Sequence, residues 1–186
     1  MKTNLGEKVI YQIYPKSFYD SNNDGFGDLR GIIDKIPYLA KLNIDMIWFN
    51  PFYVSPQNDN GYDIADYRQI DPRFGTMADF EELVAKLKEV KIDVMLDMVL
   101  NHCSTEHEWF KRALAGEEKY QKYFYLRSAK ADGSLPTNWQ SKFGGPAWAK
   151  FGDTELYYLH LYDKTQADLD WHNLDVRKEA QDIVNY

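Results

Sequence analysis

The chain has one cysteine, Cys103, among 186 residues. An internal disulfide is therefore impossible, and a lone thiol fits a reducing compartment. No apolar run reaches the roughly 18 residues of a membrane-spanning helix, and the first seven residues, Met-Lys-Thr-Asn-Leu-Gly-Glu, lack the apolar stretch of a signal peptide. A soluble, cytoplasmic chain without a membrane partner is expected. Positive charge is also scarce: 22 Lys and Arg stand against 29 Asp and Glu, a net charge of -7, and the basic residues are scattered rather than clustered. Such a chain has no electrostatic reason to seek a phosphate backbone, which removes nucleic acid as an expected partner. Internal repeats and low-complexity tracts are absent too. What is present is a 44% hydrophobic content with 16% aromatics, enough to bury a core and exclude wholesale disorder.

Along the chain, Val9–Tyr14 is β-branched and aromatic and stops at Pro15, which reads as a buried strand. Leu29–Leu42 places Ile32, Ile33, Ile36, Leu39 and Leu42 at helical spacing, with Pro37 kinking the helix or starting a new turn. Ile44–Phe49 reads as a second strand. Thr76 and Asp79 form the pattern of a capping box, and Phe80, Leu83, Val84, Leu87 and Val90 share one face of a helix at Met77–Val90. Ile92–Val99 returns to strand character. Strand, helix, strand, helix, strand with short links predicts parallel βαβ units, whose functional residues collect in the loops after the strands. The alternation stops after His102. Residues 103–174, with a short helix near Glu106–Leu114 and aromatic stretches such as Tyr157–Tyr162, are too long for a simple loop and read as an inserted subdomain. Asp175–Tyr186 reads as a capped helix returning from it.

Chemistry-bearing residues gather in three places. Asp20, Asn22 and Asp24 alternate, Gly25 allows a sharp turn, Phe26 can present its carbonyl, and Asp28 follows. This spacing matches the first nine positions of a calcium loop, with Gly31 where an EF-hand has its final Glu. A metal-free Asx turn would use the same residues; the regular oxygen spacing favours a bound Ca²⁺ in a structural role, neutralising three carboxylates. Asp97, in an apolar strand, is followed by Asn101 and His102, which implies a strand end pointing into a polar site. Taken alone, His102 reads more simply as a structural histidine. Asp59-Asn-Gly-Tyr62-Asp63 follows the second strand and combines two carboxylates with a phenol, a set suited to sugar hydroxyls and a pyranose face. His102, Cys103 and His107 match no usual zinc spacing, and neighbours on an extended segment point apart, so neither a zinc site nor a Cys–His nucleophile is expected.

Val9–Phe18 (VIYQIYPKSF), Asp20–Gly31 (DSNNDGFGDLRG), Asn58–Tyr67 (NDNGYDIADY), Asp97–His102 (DMVLNH) and Gln166–Trp171 (QADLDW) occur in the order of the α-amylase glycoside hydrolase family, glycoside hydrolase family 13, and most resemble its oligo-1,6-glucosidase branch. The resemblance covers nearly the whole chain. It implies an α/β fold: the N-terminal part of a (β/α)8 TIM barrel, residues 1–102, with a small domain inserted after the third strand and the chain stopping before the fourth. It also implies a retaining α-glucoside hydrolase acting on a small-molecule α-glucoside as a monomer, through an Asp nucleophile and a Glu acid/base. Carried over by residue, Asp59 and Tyr62 would bind and stack the nonreducing glucose, His102 would hydrogen-bond its 6-hydroxyl, and Asp97 would support the site. Asp20, Asn22, Asp24, the Phe26 carbonyl and Asp28 would hold Ca²⁺. The family's nucleophile and acid/base motifs are not among these residues; both are expected beyond Tyr186. Within the branch, Asn138–Trp148, Ser104–Phe110 and Gln166–Leu169 look most like members that hydrolyse trehalose 6-phosphate, although Asp170 stands where Asn is usual. Lys142 is a candidate for the phosphate but reads more simply as a solvated lysine. An isomaltose-type substrate, as for an oligo-1,6-glucosidase or dextran glucosidase, and a noncatalytic sugar-binding or scaffold relative are the rival readings.

Overall fold

A computed structural model describes residues 4–186. After a 3-10 turn at Leu5–Glu7 come β1 (Ile10–Ile13), α1 (Pro15–Phe18), α2 (Leu29–Asp34), α3 (Ile36–Lys41), β2 (Met46–Phe49), β3 (Tyr53–Val54) and β4 (Asp66–Ile70). Next are α4 (Met77–Glu89), β5 (Asp93–Leu96), β6 (His102–Ser104), α5 (Glu108–Leu114) and α6 (Glu118–Gln121). β7 (Leu126–Ser128), β8 (Trp148–Lys150), β9 (Leu156–Leu159), β10 (Gln166–Asp168) and α7 (Leu174–Val184) complete the chain. None of the helices among the described residues is long and apolar enough to cross a membrane. The chain divides into two compact units, which are described separately.

The first unit comprises the chain up to Val54 together with Gln69–Met98. Its centre is the parallel sheet β1-β2-β5, in the register Ile13↔Phe49↔Leu96. The expected helix over 29–42 is two helices. Lys35 closes α2 and precedes α3, whose second residue is Pro37; there the missing N–H belongs to the first turn and breaks no bond. In α4 the capping box forms as expected, with Asp79 N–H on Thr76 Oγ1 at 3.2 Å and Thr76 N–H on Asp79 Oδ2 at 2.8 Å. Leu83 and Leu87 of α4 are fully buried with Leu29, Ile32, Leu39, Ile47 and Phe49. Burying each such side chain contributes roughly 1.5–3 kcal/mol, which is why the helical face sits against the sheet. Val90, expected on that face, is the exposed C-cap residue instead. β5 is shorter than the sequence implied. Its pairing with β2 ends at Leu96, so Asp97 lies just past the strand and is half-buried rather than set within apolar strand.

The second unit comprises Ser55–Arg68 and Val99–Tyr186. The loop before β4, the segment from Val99 and helix α7 group in this unit with residues 103–174, which the sequence reads as the insertion. β6 and β10 form an antiparallel pair that places His102 opposite Asp168 and Ser104 opposite Gln166. β7-β9-β8 form a second antiparallel sheet. These strands are three or four residues long, too short to show an alternation in sequence, and only their pairing makes them strands. Phe110 packs edge-on against Phe124, Phe151 and Tyr158 with centroids 5.0–5.5 Å apart. Helix α7 starts one residue before expectation because Asn173 caps it, its side-chain oxygen accepting the Asp175 N–H at 2.8 Å.

Candidate functional site

Three of the four residues that the sequence assigned to a sugar site meet within the second unit. The loop Ser55–Asp63 is organised by Asp63, which is fully buried and accepts hydrogen bonds from Ser55 Oγ (2.8 Å), the Asn58 N–H (3.0 Å) and the Asp59 N–H (3.2 Å). Of the two carboxylates expected at a ligand, Asp63 is thus committed to the loop's own folding. Asp59 is the other, half-buried. Its Oδ2 accepts the Gln166 side-chain amide at 2.8 Å across 107 positions of sequence. Burial raises the Asp59 carboxyl above its ordinary value, and the Gln166 hydrogen bond opposes that rise.

His102 is 4% exposed. Its Nε2 lies 3.0 Å from the Tyr62 carbonyl oxygen and its Nδ1 lies 3.2 Å from the Asn101 amide nitrogen. A carbonyl can only accept and an NH₂ can only donate, so the ring is neutral, with its proton on Nε2 and its lone pair on Nδ1. Burial pushes its pKa below the usual histidine value. Asn101 also donates to Asp168 Oδ1 at 3.1 Å, and Asp168 Oδ2 accepts the Leu161 N–H at 2.7 Å. The Tyr67 hydroxyl bonds the His102 carbonyl at 2.7 Å, and the Tyr162 ring lies 5.4 Å from the imidazole, with the exposed Phe143 ring 5.9 Å beyond it. Gln166, Asp168 and Tyr162 were not singled out by spacing. For Gln166 and Asp168 the β6–β10 register, which no local pattern encodes, supplies the partners. A cavity of about 640 Å³ opens in the same unit, walled by Tyr125, Trp139, Trp148 and Trp171 with Asn101 and Asp168 at its side, within the size range of small-ligand pockets.

The remaining expected site residues belong to the first unit. Asp97 lies beside Tyr53, whose hydroxyl is pushed up to about 12 by burial and then by the Asp97 charge. The loop from Asp20 is wound around its own carboxylates. Asp20 accepts N–H groups from Asn22, Asn23, Asp24 and Gly25 at 2.7–3.3 Å, which lowers its pKa. Asp24 accepts the Phe26 N–H and the Asn22 side-chain amide. Asp28 caps α2 through the Gly31 N–H at 2.6 Å and holds Ser21 with its other oxygen. The oxygen-only donor set suits a hard cation in type. As folded, however, its carboxylates answer to loop amides, and among the described residues no group of three or more His, Cys, Asp or Glu is gathered around a metal-sized gap.

The rejected Cys–His reading is resolved by placement. Cys103 is fully buried, which raises its thiol pKa far above the ordinary value, while His107 caps α5 by accepting the Trp109 N–H on Nδ1 at 3.1 Å. Neither nitrogen nor sulfur there is an available nucleophile.

Residues 12–186 match the family model described as "Alpha amylase, catalytic domain". The chain is 50% identical over 179 residues to trehalose-6-phosphate hydrolase of Bacillus subtilis (strain 168), covering 96% of this chain and 32% of that protein. It is 47% identical over 181 residues to oligo-1,6-glucosidase of Bacillus sp. (strain F5), covering 97% of this chain and 35% of the relative. Among solved structures, trehalose-6-phosphate hydrolase of Bacillus licheniformis superposes with a TM-score of 0.92 at 52% identity, over 96% of this chain and 32% of that one. The chain thus spans about a third of the length of the relatives it matches. The three parallel strands β1, β2 and β5, with the helices between them, are the portion of the (β/α)8 barrel that it carries. This chain belongs to the alpha-amylase family and is a part of that family's catalytic domain.

Proposed function

We propose that the chain carries part of the sugar-binding site of a retaining α-glucoside hydrolase whose substrate is trehalose 6-phosphate, giving glucose and glucose 6-phosphate. The observation that carries the reading is the gathering of Asp59, Tyr62 and His102: a half-buried carboxylate held by Gln166, beside a buried neutral imidazole whose N–H points at the Tyr62 carbonyl. In this reading Asp59 accepts from glucose hydroxyls, the Tyr62 ring covers a sugar face, and His102 shares its Nε2–H between Tyr62 and the 6-hydroxyl. The resemblance also assigns a supporting role to Asp97, just past the end of β5. The bond-breaking pair, an Asp nucleophile and a Glu acid/base, lies outside these 186 residues, and the chain by itself is expected to release no glucose. A cytoplasmic location, fitted to a single unpaired cysteine, belongs to the same reading.

The trehalose 6-phosphate assignment is supported by two relatives of that name at 50% and 52% identity, against 44–49% for those named oligo-1,6-glucosidase. These margins are narrow, and an isomaltose-type substrate is the second reading. Hydrolysis of trehalose 6-phosphate and of isomaltose by the full-length protein separates them; preference for isomaltose would overturn the first. The loop reading also stands as a proposal: Asp20, Asn22, Asp24, the Phe26 carbonyl and Asp28 would hold a structural Ca²⁺. Titration with Ca²⁺ should then raise thermal stability, with Asp24→Ala abolishing the response; a stability indifferent to Ca²⁺ and EDTA removes the metal.

A further inference from the structure

We infer that Asp168 is a positioning residue that, through Asn101, fixes which ring nitrogen of His102 carries the proton. Asn101 touches both partners with the same Nδ2, at 3.1 Å from Asp168 Oδ1 and 3.2 Å from His102 Nδ1. The amide orientation follows from the carboxylate: turned over, Asn101 would face its oxygen against an Asp168 oxygen, acceptor against acceptor. Asp168 cannot turn away, because its other oxygen is held by the Leu161 N–H at 2.7 Å and the side chain is buried on β10 directly opposite His102. With the NH₂ aimed at it, Nδ1 must accept, and the ring proton sits on Nε2 against the Tyr62 carbonyl. Asp59 and Asp63, the other charged groups that act on this ring, favour its protonation without choosing a nitrogen. The Asp168–Asn101 pair makes Nδ1 the acceptor, and the Tyr62 carbonyl takes the proton on Nε2.

The sequence separation explains why no local pattern shows this. Asp168 is 67 residues from Asn101, and only the β6–β10 register brings them together. The second strand residue that points the same way, Gln166, holds Asp59. One three-residue strand therefore orients both polar groups of the proposed site. Its relevance to sugar binding rests on the reading above, while the proton position is a property of the chain whether or not a sugar binds, so the two ideas fail separately.

The test is the pattern of histidine ring ¹⁵N–¹H couplings in the uniformly ¹⁵N-labelled protein, with His102 assigned by loss of its signals in His102→Gln. The wild type should show the Nε2–H form at neutral pH. In Asp168→Asn, the new amide keeps its oxygen on the Leu161 N–H and presents an NH₂ to Asn101, which must turn its own oxygen inward. His102 Nδ1 then becomes the donor, and its signals should move to those of a protonated Nδ1. Where Asp168→Asn fails to fold, Asn101→Asp sets an acceptor against Nδ1 and should give the same change. An Nδ1–H wild type, or an Nδ1 that stays unprotonated in a folded variant, overturns the inference, since the Tyr62 carbonyl can keep a proton on Nε2 in either case. Affinity for methyl α-glucoside, measured on the full-length protein, tests the sugar reading independently.

Discussion

Gly31 shows what a single missing side chain can decide. A Cβ at this position would lie 2.1 Å from the Tyr19 carbonyl oxygen, a backbone atom that cannot swing aside. The residue at the twelfth loop position is therefore glycine for reasons of packing, and a Glu there could not serve a cation without opening the loop from α2. Gly31→Ala should destabilise the first unit by more than about 2 kcal/mol, measured by urea unfolding, because backbone rather than a flexible side chain must move. Gln166 makes the opposite point, since its side chain exists to hold another. Its amide donates to Asp59 and its oxygen accepts the Asp163 N–H at 2.8 Å, so both ends are tied. Gln166→Ala should raise KM for an α-glucoside about 10- to 100-fold in the full-length protein, the loss of one hydrogen bond to a charged group, with a smaller change in kcat. An unchanged KM would separate Gln166 from substrate binding.

At the scale of an element, α5 begins on a titratable cap. His107 Nδ1 accepts the Trp109 N–H, and burial holds its pKa down to about 4. The unfolded chain binds this proton near pH 6.5 while the folded one resists it, so the unfolded state carries more protons across the interval and stability falls as pH drops from about 6.5 to about 4. The effect is on the order of 3 kcal/mol at its fullest. The lowered pKa of His102 acts in the same direction. His107→Asn, which keeps a capping acceptor but cannot titrate, should flatten the pH dependence of the urea midpoint over this interval; an unaltered slope would remove the cap from the account. The element boundaries that sequence placed well, α4 and the restart at Pro37, are set by local chemistry, a capping box and a ring without an N–H. The boundary it misplaced, the end of β5, is set by where the partner strand stops.

At the scale of the molecule, β2 is the centre of the parallel sheet, and β1 and β5 each pair with β2 alone among the described residues. Strand edges with unpaired N–H and C=O groups recruit other strands. The 186-residue chain is accordingly expected to self-associate with rising concentration in sedimentation velocity, and Ile10→Lys, at an exposed position of β1, should reduce it. A chain that stays monomeric at high concentration would show that these edges are protected. The division into two units also has a functional side: Asp59, Tyr62 and His102 all belong to the unit that contains the insertion. On the proposed sugar-site reading, the inserted segment belongs to the site's framework through Gln166 and Asp168.

The one-dimensional pattern determined the class of fold, the strand–helix–strand order, the capping box and the candidacy of Asp59 and Tyr62, because each is written in adjacent or helically spaced residues, while His102 became a candidate through the family resemblance. Which carboxylate stays available and which folds the loop, which nitrogen of His102 carries the proton, and which groups Gln166 and Asp168 hold were decided only in three dimensions. Those outcomes depend on hydrogen bonds between residues 67 and 107 positions apart, and strand register, which spacing along the chain does not encode, is what brings them within reach.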